Sequence, residues 1–290
     1  MITRRALLAG AAAALPAASP RPQLAAQLYV WSQFFARQSK TLSEGLAEAF
    51  ASTRRAGFRQ VEFDIELFRE DRRENTIAGL KEHGLSAPIV YSGGKFHESA
   101  TARRAINSIL DAADALKAAG VRMVNVNPFP KQRKEEKTDA ELDVQAGYVR
   151  RLDAELQNRG LRLILHHHDA EMAGDAREWR HLLANTKTAL CVDTDWALRG
   201  GQNPLEILKA AGERLASVHL RSSGRGVWSE DFGEGDIDYR AVAAYLRRRR
   251  YSGYLVVELA YEKGTKITRG LEDDLRRSRE YAERTFGVKA

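Results

Sequence analysis

The 290-residue sequence predicts an α/β fold, a (β/α)8 TIM barrel, on three observations. Eight short runs rich in Val, Ile, Leu and aromatic residues alternate with mostly amphipathic helical stretches, at a spacing of roughly thirty residues. The length suits one such barrel as a single domain. The runner-up, an open doubly wound sheet, is expected to carry G-x-G-x-x-G between a strand and a helix, and no strand runs into that motif.

In chain order, Leu28–Gln33 (LYVWSQ) reads as the first strand, an aromatic and β-branched run. Ser43 opens an amphipathic helix with Leu46, Ala49, Phe50 and Thr53 at helical spacing, and Gly57 stops it. Gln60–Asp64 is a second strand that ends in acids. A helix over Glu74–His83 stops at Gly84, and Leu85–Tyr91 follows as a third strand, made marginal by Pro88. Ser99 is placed to cap a long helix whose Ala105, Ile109, Ala112, Ala113 and Leu116 form an apolar stripe up to Gly120. Val121–Val126 is strand four, and Thr138 and Glu141 have capping-box spacing for a helix ending near Gly160. Strand five opens the segment Leu161–Glu171, LRLILHHHDAE. A helix around Arg177–Ala184 leads to strand six, Thr188–Asp195, and Leu215–Leu220 is strand seven. After a loop with Gly224, Gly226, Gly233 and Gly235 a helix begins near Asp238. Gly253–Leu259 is strand eight, and a helix over Leu271–Thr285 closes the chain.

Residues 1–26 read as an export signal and 27–290 as the barrel. Thr3-Arg4-Arg5-Ala6-Leu7-Leu8 resembles a twin-arginine signal: paired arginines precede an apolar run too short to span a bilayer comfortably, with small residues near Pro16–Ser19. The expectation is a periplasmic or exported protein, carried by the twin-arginine route and not inserted in the membrane once the signal is gone. Removing those 26 residues takes three arginines and no acid, lowering the net charge from +7 to +4. The 43% hydrophobic content beside 29% charged residues is enough for a core and argues against a multi-span membrane protein. Cys191 is the only cysteine, which excludes an internal disulfide. Arg247–Arg250 reads as a solvated helix face, and without a basic groove interleaved with aromatics no nucleic-acid partner is expected. No motif specifies an oligomeric state.

In a parallel barrel all C-terminal strand ends face one mouth, so residues far apart in sequence meet there. Side chains alternate along a strand, which puts His166 and His168 on one face with Ile164, and Leu163, Leu165 and His167 on the other. Strand six ends in Asp193 and Asp195, strand seven in His219 and strand eight in Glu258. Singly, each has an ordinary structural role open to it. Together, on four consecutive strands, they fit a mixed nitrogen and oxygen site for a divalent metal.

The segments LILHHHDAE, CVDTDWALRGGQNP, SVHLRSS, GEGDIDYRAV and GYLVVEL, in that order, resemble the second half of the xylose isomerase-like TIM-barrel superfamily, and LYVWSQ and AGFRQVEFD its first half. Its members include sugar epimerases, hydroxypyruvate isomerase, inosose dehydratase and the endonuclease IV branch. The resemblance implies one metal held by His166, Asp193, His219 and Glu258. The better-known epimerases carry Glu where His166 stands, His where Trp196 stands, and Lys-Asp where Arg221-Ser222 stands. The H-x-H-D-x-E run and the D-x-x-W after strand six are similar to an often exported branch loosely called sugar phosphate isomerase/epimerase.

The resemblance implies a metal-dependent isomerase or epimerase of a small sugar or polyol, working by proton transfer next to a carbonyl. Glu258 and His168 are the candidate catalytic groups, because a metal-bound His166 has no free lone pair with which to act as a base. Trading Glu for His favours Mn2+, Zn2+, Co2+ or Fe2+ over Mg2+. Trp31, Lys95, Trp196 and Arg221 are the candidate substrate-binding residues, and Arg225 is a further basic loop residue. A sugar dehydratase or other lyase on the same metal site, and a carbohydrate-binding barrel without catalysis, are the alternatives.

Overall fold

The computed structural model describes residues 21–290. The arginine pair and apolar run of the expected leader lie outside the described residues. Eight parallel strands close into a barrel: β1 (Gln23–Gln27), β2 (Gln60–Asp64), β3 (Ser86–Gly94), β4 (Met123–Pro128), β5 (Arg162–Leu165), β6 (Ala189–Asp193), β7 (Leu215–Leu220) and β8 (Tyr254–Val257). Each pairs with its sequence neighbours, and β1 closes the ring on β8. The surrounding helices are α1 (Tyr29–Ala36), α2 (Leu46–Arg55), α3 (Glu70–Glu82), α4 (Ser99–Ala118), α5 (Asp139–Asn158), α6 (Asp169–Asn185), α7 (Thr194–Arg199), α8 (Pro204–Ala211), α9 (Tyr239–Arg248) and α10 (Leu271–Phe286). A short antiparallel ribbon pairs Ser223–Gly224 with Val227–Trp228 in the loop after β7. No helix among the described residues is long and apolar enough to cross a membrane.

Strand alternation sorts the side chains into two cores. Leu163 and Leu165 of β5 join Leu152 and Leu156 of α5 in the layer between barrel and helices, while Ile164 points inward. Inside, the N-terminal end is filled by apolar groups such as Ala25, Ile89, Met123, Ile164, Ala189 and Val256. Two residues further along β4, β5 and β8 the inward positions become Asn125, His166 and Glu258, and β2, β6 and β7 contribute Glu62, Asp193 and His219, all buried. Dry packing therefore supports a polar layer at the C-terminal mouth.

Several boundaries differ from the sequence reading, each for a local reason. Leu28–Gln33 is not the first strand: all but Leu28 lies in α1, and the strand is Gln23–Gln27. Gln23–Ala26 pair with Tyr254–Val257, so four residues assigned to the leader belong to the barrel. Their low β-propensity, with two alanines, hides the strand. Helix α6 starts at Asp169, directly after the histidines rather than near Arg177, and is broken by left-handed backbone at Gly174, Asp175 and Ala176. Ser99 is the first residue of α4, not its cap. Pro88 is accommodated in β3 by a register shift between Gln60 and Glu62 of β2, and its carbonyl still accepts the N–H of Arg122 at 2.9 Å. The capping box at α5 forms, with the Glu141 N–H donating to Thr138 Oγ1 at 3.3 Å and the Thr138 N–H to Glu141 Oε2 at 2.7 Å.

Candidate active site

His166, Asp193, His219 and Glu258 come from the ends of β5 to β8, and each offers one ligand atom within 4.8 Å of the other three. None is more than 7% exposed. His219 Nδ1 lies 2.5 Å from Glu258 Oε2, and His166 Nε2 lies 3.7 Å from Asp193 Oδ2. Asp193 is fixed on both sides of its own chain: its Oδ1 accepts the Trp196 N–H at 2.8 Å, and its backbone N–H donates to His167 Nε2 at 3.2 Å. His167 thus braces the cluster from outside it.

Burial and neighbouring charge set the ionisation of these groups. Burial, with His219 and His168 alongside, pushes His166 well below the ordinary histidine range, leaving a neutral ring with a lone pair. Burial also disfavours charge on His219, but Cys191 first, then Glu62 and Glu258, hold it well above the ordinary range. Burial works to raise Glu258, and Arg221 and His219 more than reverse it, so that carboxylate is held low and ionised. Asp193 is raised, chiefly by burial.

Both ring nitrogens of His166 and Oδ2 of Asp193 are buried with no hydrogen-bond partner. Atoms left so cost roughly 1–3 kcal/mol each, and a cation held by the cluster would give a partner to one nitrogen of His166 and to Asp193. Two imidazoles and two carboxylates suit a divalent ion. The residues present fit a metal.

A cavity of about 600 Å³ reaches Glu258 of this cluster and is lined also by His168, Trp196, Arg221, Trp228, Tyr29, Leu42, Phe63 and Tyr91. His168 packs on Trp196 at 4.8 Å between ring centres, and the amide N–H of Asn127 meets its Nδ1 at 3.0 Å. Burial lowers its pKa, so the ring is neutral at neutral pH. Trp228, carried in by the short ribbon, donates its indole N–H to Asp195 Oδ2 at 2.6 Å and lies 4.4 Å from the guanidinium of Arg221.

The structure brings together the four residues expected to form a metal site, and lines the pocket with His168, Trp196 and Arg221. It does not put the other two there. Trp31, in a helix rather than a strand, turns into the core, where it stacks on Phe35 and donates to Thr53 Oγ1 at 3.2 Å. Lys95, in the turn after β3, pairs with Glu98 at 3.5 Å outside the pocket lining. Arg225 is exposed at the tip of the ribbon. Asp195 lies outside the cluster, anchoring Trp228 and Arg199. The sequence reading missed Glu62, Asn125, Asn127 and Trp228. The first three did leave a signal, a polar residue at alternate positions of an otherwise apolar strand (QVEFD, MVNVN), whereas Trp228 left none.

A closed parallel barrel with a buried His, Asp, His and Glu set at its C-terminal mouth defines a TIM-barrel protein with a candidate metal site. More particularly, the chain belongs to the Xylose isomerase-like TIM barrel family, which matches residues 50–283. It is 25% identical over 225 residues to the inosose dehydratase of Geobacillus kaustophilus (strain HTA426), covering 66% of this chain and 73% of that one. With the inosose dehydratase of Clostridium botulinum (strain Alaska E43 / Type E3) it shares 26% over 155 residues, about half of each protein, 46% and 51%. A sugar phosphate isomerase/epimerase from Parabacteroides distasonis ATCC 8503 superposes with a TM-score of 0.73 at 16% identity, covering 95% of this chain and 100% of that one. The 3-keto-D-glucoside 4-epimerase of E. coli superposes with a TM-score of 0.67 at 18% identity, covering 90% and 100%. At these identities the structural likeness shows the shared fold.

Proposed function

We propose that the chain is a metal-dependent isomerase or epimerase that moves a proton beside the carbonyl of a small sugar or polyol. One observation carries the reading: Glu258 belongs at once to the buried four-residue cluster and to the wall of the pocket, where His168 also lies. A divalent ion in that cluster, Mn2+, Zn2+, Co2+ or Fe2+ by its donor set, supplies polarisation of substrate oxygens. The chain's own residues do the rest. Glu258, held ionised, accepts the proton from carbon. His168, whose Nδ1 accepts from Asn127, carries its ring proton on Nε2 and acts as the proton donor. Arg221 engages a substrate oxygen from beside Glu258, and the faces of Trp196 and Trp228 cover the sugar and keep water out.

A second reading, dehydration of an inosose-like ketone, draws support from the inosose dehydratases among the relatives. It uses the same groups, with the His168 Nε2 proton delivered to a departing hydroxyl. Incubation in D2O with Mn2+, Co2+ or Zn2+ and a panel of ketoses, keto-glucosides and inososes separates the readings by NMR. Isomerase or epimerase action exchanges the carbon-bound hydrogen and keeps every oxygen, whereas dehydration yields an unsaturated product. If no exchange and no product arise with any of the three metals, the catalytic reading fails.

A further inference from the structure

Glu62 lies outside the four-residue cluster, yet its carboxylate is fully buried inside the barrel and doubly engaged. Oε1 accepts the amide N–H of Asn125 at 3.0 Å, and Oε2 lies 3.1 Å from His219 Nε2. The two nitrogens of the His219 ring thus face different partners: Nδ1 meets Glu258 of the cluster at 2.5 Å, and Nε2 meets Glu62. A carboxylate only accepts hydrogen bonds, so with a carboxylate at each nitrogen the ring carries both protons; a cation in the cluster would displace the one on Nδ1, and Glu62 would keep the one on Nε2, leaving the Nδ1 lone pair for the metal. Asn125 Nδ2 is also 3.3 Å from Nε2. Two donors do not bond each other, so Asn125 acts on the carboxylate and keeps it facing the ring.

Resting on the metal reading above, we propose that Glu62, oriented by Asn125, is a positioning residue that fixes the tautomer and ring plane of His219 for metal binding. The arrangement reaches across the barrel interior, from β2 and β4 to β7. A carboxylate behind a ligating imidazole both selects the tautomer and makes the ring a stronger donor.

The test is Mn2+ titration of the full chain, followed by EPR of the free ion, for wild type, Glu62→Leu and Glu62→Gln. Affinity is read on folded protein, so a purely structural role would lower the melting temperature and leave it unmoved. Glu62→Leu is expected to weaken Mn2+ binding by roughly 10- to 100-fold. Glu62→Gln keeps an acceptor without the charge and is expected to weaken it measurably but less than Glu62→Leu does. In Zn2+-loaded protein, 15N NMR of the His219 ring is expected to show an Nε2 proton protected from solvent exchange in wild type and exchanging faster in Glu62→Leu. Variant affinities within twofold of wild type, with exchange of the Nε2 proton unchanged, overturn the assignment of Glu62 alone. Should Glu62→Leu not fold, the glutamine variant decides by the same criterion. A wild-type chain that binds none of Mn2+, Zn2+ and Co2+ overturns the metal reading as well.

Discussion

The guanidinium of Arg221 holds Glu258 twice, with one terminal nitrogen 2.5 Å from Oε1 and Nε donating to the backbone carbonyl at 2.9 Å. Both residues are buried, so Arg221 supplies in the metal-free protein part of the positive charge that a cation in the cluster would bring. Breaking such a pair from one side leaves the other charge stranded, at a cost of roughly 3–5 kcal/mol. Arg221→Met is expected to lose about that much stability without metal, and clearly less with saturating Mn2+. Calorimetry in both conditions checks it, and an equal loss in the two would sink the compensation argument.

His168 has its proton placed by Asn127 and sits in the pocket without belonging to the cluster. Replacement by Gln is expected to lower turnover by roughly 10²- to 10⁴-fold, the range for a proton-transfer group. Mn2+ affinity should stay put. A drop smaller than about tenfold would assign all proton transfer to Glu258.

Burial, reinforced by Glu178, raises Glu171 from an ordinary 4.5 to about 7. Its Oε2 accepts the His168 backbone N–H at 2.6 Å, while Oε1 is buried without a partner. The folded chain therefore holds this proton more tightly than the unfolded chain does. Below pH 4.5 both states are protonated. Between pH 4.5 and 7 the unfolded state ionises first, and stability falls with rising pH by on the order of 3 kcal/mol before levelling off. Glu171→Gln should abolish that fall. Urea unfolding at pH 5 and pH 7.5 measures it, and a variant that keeps the wild-type slope would falsify the assignment.

Gln23–Ala26 pair with β8, and Ala26 and Gln27 with β2. A chain starting at residue 21 is expected to fold, whereas one starting at residue 27 leaves two strand edges unpaired and should express as aggregate or melt well below it. Far-UV CD melts of the two chains decide between them, and equal melting temperatures would show that β1 is dispensable.

Glu62 and Trp228 show where sequence reading of the site stopped. His166, Asp193, His219 and Glu258 were legible because each ends a run of apolar residues, and in a parallel barrel every strand end reaches the same mouth. By contrast, Trp31 was misplaced because LYVWSQ suits a strand by composition and becomes a helix through its surroundings.

The order of strands, the parity that turns His166 inward and His167 outward, and the chemistry of the four strand ends were fixed by the chain itself, since alternation and capping are local. Closure of the barrel decided the rest. Only when β1 meets β8 does QLAAQ become a strand, and only inside the closed ring do Glu62 and Asn125 arrive at the far nitrogen of His219. Contacts between residues 157 positions apart have no local trace. They exist because burying Glu62 and His219 without partners would be costly, and inside the closed ring each supplies the other's.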